Sequence, residues 1–359
     1  MSLLSKNIEL YNYLKENYST THYRFKKIFG HLFPYKKLDL GSISELKLDG
    51  VQNLSGIEEL KGLTNLEVKG ASNLAPIEEC SNLSSVKCIL PDTMMDTSIL
   101  ERISKMECMR NAEFYGRGVK SITSEQALNF GESSKISYEQ SSKLNLKQFS
   151  QVQKRLEEIQ SLITPEMTDI QKVETIYGNL LSQDFQYDYE NDTSKSNGYL
   201  INDTMYGPLV ENKGVCSGVA SALATALQNA GLDAVACGGW ADKKVSAGNA
   251  HQWNQVKVDN EWYNLDLTND FDKESWHFFM KSDNNRDWAE CHYVDKEDKS
   301  EPIHDCTSTK YDIIYRENPM QCKLRDQKEK ELKQQKINTP SKIDNQVNQV
   351  NHEQDEIMR

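Results

Sequence analysis

Gly214-Val215-Cys216-Ser217-Gly218-Val219-Ala220-Ser221-Ala222-Leu223 places one cysteine between two glycines at the head of a run of small residues with helical character. A thiol on the first turn of a helix sits where unpaired backbone N–H groups and the macrodipole favour the thiolate. Taken alone, such a cysteine reads more readily as a small buried hydrophobe, which is what most free cysteines are. Its meaning depends on the residues downstream of it. Val219, Leu223 and Leu227 recur every fourth residue, and Gly231 is placed to end the helix in a left-handed conformation. Ala220, Ala222, Ala224 and Ala226 keep the helix slim enough to lie close against a sheet. Strands are expected next at 234–240, 252–258, 262–267 and 276–280.

The register of the middle pair is set by its turn. Asp259-Asn260 is a hairpin signal that sets Val258 opposite Glu261, so paired residue numbers sum to 519. Asp266 then faces Trp253, and His251 is a diagonal neighbour of Asp266 on the same face. Val256, Val258, Tyr263, Leu265 and Leu267 form the opposite, packed face. A thiolate that attacks a carbonyl carbon, an imidazole that protonates the leaving group and a carboxylate that orients the ring are what nucleophilic acyl transfer needs. Cys216, His251 and Asp266 are the candidates, in that order on helix, strand and adjacent strand.

The motifs Tyr206-Gly207-Pro208-Leu209, Gly214-Val215-Cys216-Ser217-Gly218, His251-Gln252-Trp253-Asn254-Gln255-Val256 and Trp262-Tyr263-Asn264-Leu265-Asp266-Leu267-Thr268 closely resemble the transglutaminase-like superfamily, over roughly residues 145–300. Gly231-Leu232, Gly238-Gly239 and the later run Trp276-His277-Phe278-Phe279-Met280-Lys281-Ser282-Asp283 extend the likeness. The resemblance implies an α+β, papain-like core with a nucleophile helix packed on an antiparallel sheet. It implies Cys216 as nucleophile, His251 as general acid/base and Asp266 as the orienting carboxylate. By the same resemblance the oxyanion is held by the Cys216 N–H and a donor from the preceding segment, for which Tyr206 is the choice, and Trp253 and Trp262 wall the acyl-donor groove. Gln252 stands where a small residue often follows the histidine, and Leu267-Thr268 where Pro-Thr often follows the aspartate; neither change removes a reacting group.

Upstream, the chain repeats itself. Glu45-Leu46-Lys47-Leu48-Asp49-Gly50 aligns with Asn65-Leu66-Glu67-Val68-Lys69-Gly70 and, more loosely, with Ser85-Val86-Lys87-Cys88-Ile89-Leu90, at an offset of 66 − 46 = 20 residues. This period resembles leucine-rich repeats, whose units bury their apolar residues only by stacking. Residues 1–40 are expected as a helical cap, with Leu3, Leu4, Ile8, Tyr11 and Leu14 on one face and a second helical segment from Tyr23 to Phe33. The repeat region is placed at 41–120, with 99–119 closing its far end, a serine-rich linker at 121–147, the catalytic domain at 148–322, and a charged helix with a disordered Gln/Asn-rich tail at 323–359. Two helices open the catalytic domain, one carrying Phe149, Val152, Leu156, Ile159 and Ile163, the next starting at Thr164-Pro165.

A net charge of -12 argues against a nucleic-acid partner, which needs a concentrated basic face. No apolar run reaches membrane-spanning length, and the first residues lack the pattern of a secretory signal, so a cytoplasmic location is expected. Eight cysteines without C-x-x-C pairs read as reduced thiols. Cys291, His292, His304 and Cys306 offer metal-ligating types at a spacing that matches no common zinc pattern. Asp270, Asp272 and Glu274 lack the glycine of a calcium loop, so no cofactor and no metal is expected. The function expected is thiol-dependent acyl transfer at protein or peptide amides through a thioester. Hydrolysis (a peptidase or deamidase) comes first by resemblance to bacterial members; protein-glutamine transamidation is second, and a catalytically inactive binding protein is third. The repeats, which resemble partner-binding modules of bacterial effectors, would dock the substrate, and they leave open delivery by a non-classical route.

Overall fold

The computed structural model describes residues 7–18, 25–28, 31–34, 39–94, 96–139, 144–190, 201–241, 250–273, 275–294 and 303–312. Helix α1 (Ile8–Asn17) is capped by Asn7, whose side chain accepts from the Leu10 N–H, and it buries Leu10 and Leu14. It lies along the edge of the first repeat strand: the Tyr13 hydroxyl donates to Lys47 O at 2.8 Å, and Lys47 N donates to the Tyr18 hydroxyl at 2.9 Å. The second N-terminal segment is not the expected helix. It is an antiparallel hairpin of β1 (Phe25–Ile28) and β2 (His31–Pro34), with Ile28 opposite His31. Aromatic residues suit a pleated surface as well as a helix, and Phe29-Gly30 between the strands is a turn signal that helical spacing passes over.

The repeats build a parallel sheet from β3 (Glu45–Asp49), β4 (Asn65–Lys69) and β5 (Ser85–Ile89), and the sheet does not stop there. After α2 (Ser98–Ser104) comes β6 (Asn111–Tyr115), and after α3 (Ser124–Ala127) comes β7 (Ser134–Ser137), giving five strands in sequence order. Leu46, Leu66 and Val86 stand side by side in register and are buried. Asn53 and Asn73 perform the same turn, each side-chain oxygen accepting the N–H two residues on at 3.0 Å. On the outer face Lys47, Glu67 and Lys87 form a charge row at 3.1 and 3.3 Å, and Asp49 pairs with Lys69 at 3.0 Å.

Two sequence expectations change here. Residues 99–119 do not close the stack but supply its fourth strand, and residues 121–147, expected as a linker, contain α3 and the fifth. Strand starts at 45, 65, 85, 111 and 134 show why: the interval grows from 20 to 26 and 23 residues, which destroys the visible period. Ser134 and Ser137, read as linker residues, are buried strand positions.

The second half begins with α4 (Leu146–Gln160) and α5 (Asp169–Leu181), each opened by a capping box, Asn145 with Gln148 and Thr168 with Gln171. The N-cap of α5, Thr168, lies four residues beyond the expected Thr164. Helix α4 covers the end of the stack: Ser124 donates to the Glu157 carboxylate from its N–H (2.9 Å) and its hydroxyl (2.7 Å), and Gln153 Nε2 donates to Lys120 O at 3.1 Å. A short parallel pair, β8 (Gln186–Tyr187) and β9 (Lys213–Gly214), leads into α6 (Cys216–Asn229), which ends at Gly231 with φ +83°. The antiparallel meander β10 (Ala234–Trp240), β11 (Ala250–Val258) and β12 (Glu261–Leu265) comes next, then α7 (Leu267–Lys273) and α8 (Arg286–Cys291).

Val258 pairs with Glu261 and Asn254 with Leu265, which is the sum-to-519 register. Asp259 and Asn260 both have positive φ, as a type I′ turn requires. Val256, Val258, Tyr263 and Leu265 are buried on the α6 side, where Asn254 Nδ2 donates to Ala220 O at 2.8 Å. The other face is covered too, by a separate cluster of Cys237, Trp253, Phe278 and Trp288 and by residues around His304 and Cys306. Residues 276–280 are not a strand. Trp276, Phe278, Phe279 and Met280 are all buried, without the alternation a half-buried strand shows. The Asp270 carboxylate accepts the Phe278 N–H at 2.9 Å and holds the segment as a turn, with a bridge between Lys281 and Asn264 beyond it. Among the described residues no helix is long and apolar enough to cross a membrane. The expected charged helix and tail, 323–359, lie outside the described residues.

Candidate active site

Cys216 is the first residue of α6, and Val215 before it is extended and makes no side-chain cap. The first-turn N–H groups of a helix have no acceptor of their own within it, and Cys216 is on that turn. A closely packed segment fixes this turn from behind. Asn202 O accepts the Val215 N–H at 3.2 Å, while the buried Asp188 carboxylate takes the Asn202 side-chain amide and Lys213 Nζ, the latter at 3.3 Å. Gly218 makes the approach feasible: a Cβ there would lie 2.7 Å from both Asn202 O and Thr204 O.

His251 is on β11 and Asp266 stands at the junction of β12 and α7. His251 Nε2 is 2.8 Å from Asp266 Oδ2, and Cys216 is near enough to the same imidazole to help raise it. With Nε2 committed to the carboxylate, Nδ1 is the ring nitrogen left for the sulfur. The Asn254 bond to Ala220 O ties the His251 strand to the Cys216 helix, which sets how deeply the helix sits on the sheet. Asp266 is fully buried and also caps α7: Asn269 N donates to Oδ1 at 3.0 Å and Asn269 Nδ2 to Oδ2 at 2.6 Å. A second imidazole, His292, places Nε2 2.7 Å from the same Oδ2.

These contacts set the charges. Burial raises the Asp266 carboxyl, but the neighbouring imidazoles, His251 first and then His292, overcome it and hold the group well below the usual carboxylate range. Burial lowers His251, but the Asp266 charge and hydrogen bond, followed by Cys216, outweigh it and push the imidazole up to about 10. His251, Asp266 and His292 also bring three metal-ligating atoms within 4.8 Å of one another. Both imidazoles meet one oxygen at hydrogen-bond distance, so shared protons account for the contact. A tetrahedral metal about 2.0–2.1 Å from each ligand would have to push these atoms apart.

The sequence expectations divide here. Cys216, His251 and Asp266 come together. Trp253 does not wall a groove, because it is 2% exposed and sits beneath Trp288 and His292, with ring centroids 6.0 and 5.2 Å away. Trp262 is stacked on His304 at 3.7 Å. It pairs with Lys257 beside the hairpin turn, at the end of the sheet away from His251. Tyr206 spends both its donors elsewhere, its N–H on Thr204 Oγ1 at 3.2 Å and its hydroxyl on Gln151 at 3.3 Å. An expectation of one solvent-open sheet face underlies both tryptophan corrections. His292 and Asn269 lie outside the expected set. The Asn269 contact is legible as an aspartate three residues ahead of a helical N–H. His292 carries no such signal.

Residues 158–267 match the family description "Transglutaminase-like superfamily". A comparison with curated proteins gives no match. Among solved structures, one titled "Crystal structure of a TGase" is 20% identical with a TM-score of 0.25, and the match covers 34% of this chain and 31% of that chain.

Proposed function

From a transglutaminase-like core at residues 158–267, we propose that this protein hydrolyses amide bonds of proteins or peptides through a thioester on Cys216. The observation that carries this reading is the His251 Nε2–Asp266 Oδ2 contact at 2.8 Å, on an imidazole that Cys216 also helps to raise.

The steps are derived from that geometry. The Cys216 thiolate attacks the amide carbonyl carbon, and the C=O electron pair moves onto oxygen, where the first-turn N–H groups of α6 are the available donors. As the tetrahedral species collapses, the C–N bond breaks and the His251 imidazolium gives its proton to the leaving nitrogen. A water then loses a proton to the neutral imidazole and adds to the thioester. The C–S bond breaks, the acid leaves, and the thiolate–imidazolium pair is restored. Asp266, fixed by Asn269 and the α7 N-terminus, keeps the ring in one orientation throughout. We assign the exposed face of β3–β7 to docking the polypeptide substrate; alternate residues of these strands face outward.

The test uses the full chain and a glutamine-containing polypeptide, with and without a fluorescent primary amine, beside Cys216→Ala. New chain termini or released ammonia that vanish in Cys216→Ala support hydrolysis. Amine incorporation that vanishes in the variant replaces it with transamidation. Iodoacetamide labelling of Cys216 no faster than that of Cys108 at neutral pH refutes the thiolate chemistry altogether.

A further inference from the structure

The peptide plane shared by Gly214 and Val215 is held at both of its polar atoms. Its oxygen accepts the Asp188 N–H at 2.9 Å, and its N–H donates to Asn202 O at 3.2 Å. The two residues that hold it are joined in turn, because Asn202 Nδ2 donates to Asp188 Oδ2. These three bonds close a ring from Asp188 through Gly214 and Val215 to Asn202 and back. Asp188 and Asn202 are both buried, which keeps water from competing for the bonds. Lys213 Nζ, 3.3 Å from Asp188 Oδ1, brings the opposite charge to the other carboxylate oxygen. Asn202 Oδ1 has no hydrogen-bond partner among the described residues, so Asp188 is the polar hold on that side chain.

The sequence leaves room for this ring. A Cβ at Gly214 would lie 3.2 Å from Asn202 O, and one at Gly207 would lie 3.2 Å from Asn202 Cα and 2.3 Å from Lys213 O. Together with Gly218, whose Cβ would also press on Asn202 O, three glycines surround one asparagine. A buried carboxylate is costly unless its partners need it. The need here is orientation: an amide at 188 has one acceptor oxygen, so either Asn202 or Lys213 would face its NH2 group.

We infer that Asp188 is a positioning residue of the site, acting through Asn202 to fix the Gly214–Val215 plane and so the direction in which α6 presents Cys216. The inference rests on the reading of Cys216 as nucleophile. Successive peptide planes are joined only through the φ and ψ of the residue between them, here the extended Val215 at φ -115° and ψ 175°. A tilt of the clamped plane is therefore passed on to the Val215–Cys216 plane. It turns the sulfur away from His251 and the Cys216 N–H away from the developing oxyanion.

The experiment compares iodoacetamide labelling of Cys216 with that of Cys108 in the full-length protein at neutral pH, for wild type, Asp188→Asn, Asn202→Ala and the two combined. Each single variant is expected to lower the Cys216 to Cys108 ratio by about 10–100-fold. A loss of stability alone would leave that ratio unmoved in the folded protein. Because Asp188 acts through Asn202, the combined variant is expected to lose no more than either single one. An unchanged ratio in a folded variant, or losses that multiply in the combined one, overturns the inference. Hydrogen exchange of the wild-type amides needs no variant: the Asp188 and Val215 N–H groups are expected to be protected, and exchange of either at the unprotected rate overturns the ring. If the variants fail to fold, that exchange decides the matter. Wild-type Cys216 labelled no faster than Cys108 refutes the nucleophile reading instead and leaves the exchange result standing, so the two failures are distinct.

Discussion

Gly218→Ala isolates how the start of α6 is held. A Cβ at this position would be 2.7 Å from Asn202 O and Thr204 O and 3.3 Å from Pro208 Cδ. Two of the three neighbours are backbone, so the methyl cannot be accommodated by turning a side chain. Ordinary contact requires the 202–208 segment to retreat by about half an ångström or more, and overpacking of this kind costs about 1–3 kcal/mol. For a unit of this size that is roughly 2–10 °C in Tm, within what a folded protein tolerates. The effect on chemistry is expected to be larger than the effect on stability. Asn202 O is the acceptor of the Val215 N–H, the peptide just before Cys216, so its retreat pulls on the residue that sets the sulfur. A displacement near 1 Å costs about 10²-fold in a positioned reaction. Gly231→Ala is the control: it too is strained, by φ +83°, but a Cβ there meets nothing within 4 Å. The assay pairs calorimetric Tm with the rate of Cys216 alkylation at neutral pH. Gly218→Ala should lower both, and Gly231→Ala only Tm. If Gly218→Ala loses stability but alkylates at the wild-type rate, the packed segment does not position the thiol and the reasoning is wrong.

Three further outcomes are expected from the same contacts. The His251–Asp266 pair makes stability depend on pH from both sides: His251, raised when folded, contributes fully below about pH 6.5 and loses its contribution as pH climbs toward 10, while Asp266, lowered when folded, contributes above about pH 4 and loses it on acidification. Urea unfolding of wild type should therefore weaken between pH 7 and 9.5, with a flatter profile in Asp266→Asn; parallel profiles would refute the coupling. Asn254→Leu removes bonds to Ala220 O (2.8 Å) and Val235 O (3.3 Å), and is expected to cost about 1–3 kcal/mol in urea unfolding and to slow Cys216 alkylation; an unchanged rate would show that α6 finds its depth without Asn254. Trp253 Nε1 is buried without a hydrogen-bond partner, so Trp253→Phe should cost only its lost volume, whereas a loss above about 4 kcal/mol would reveal a partner for that N–H.

Local signals carry the site better than the chain's outer parts. The Asp259-Asn260 turn fixes the hairpin register, and with period-two geometry that alone brings His251 to Asp266. Gly231 and the alanines of α6 likewise do what their types suggest. What escapes depends on tertiary placement. His292 reaches Asp266 only because residues 276–280 turn instead of extending, and nothing in their spacing shows that Asp270 will hold them so. The buried face around Trp253 is hard to foresee because the helix that covers it, Arg286–Cys291, is too short to announce itself by periodicity. In the repeats, unequal intervals hide two of five strands.

The junction between the repeats and the second half of the chain has a mechanical meaning. Buried side chains form one continuous cluster from Leu10 through the stack and α4 to Leu223 and Met280. Glu139, just past the last repeat strand, accepts a hydrogen bond at 2.8 Å from Ser221, about one and a half turns along the helix that begins with Cys216. That seam is packed and hydrogen-bonded, so it sets the spacing between the outer strand face and the helix that carries the sulfur, like jaw and anvil cut from one casting. A polypeptide gripped along the strands would present to the thiol only a residue a set distance from the grip, whatever its local sequence.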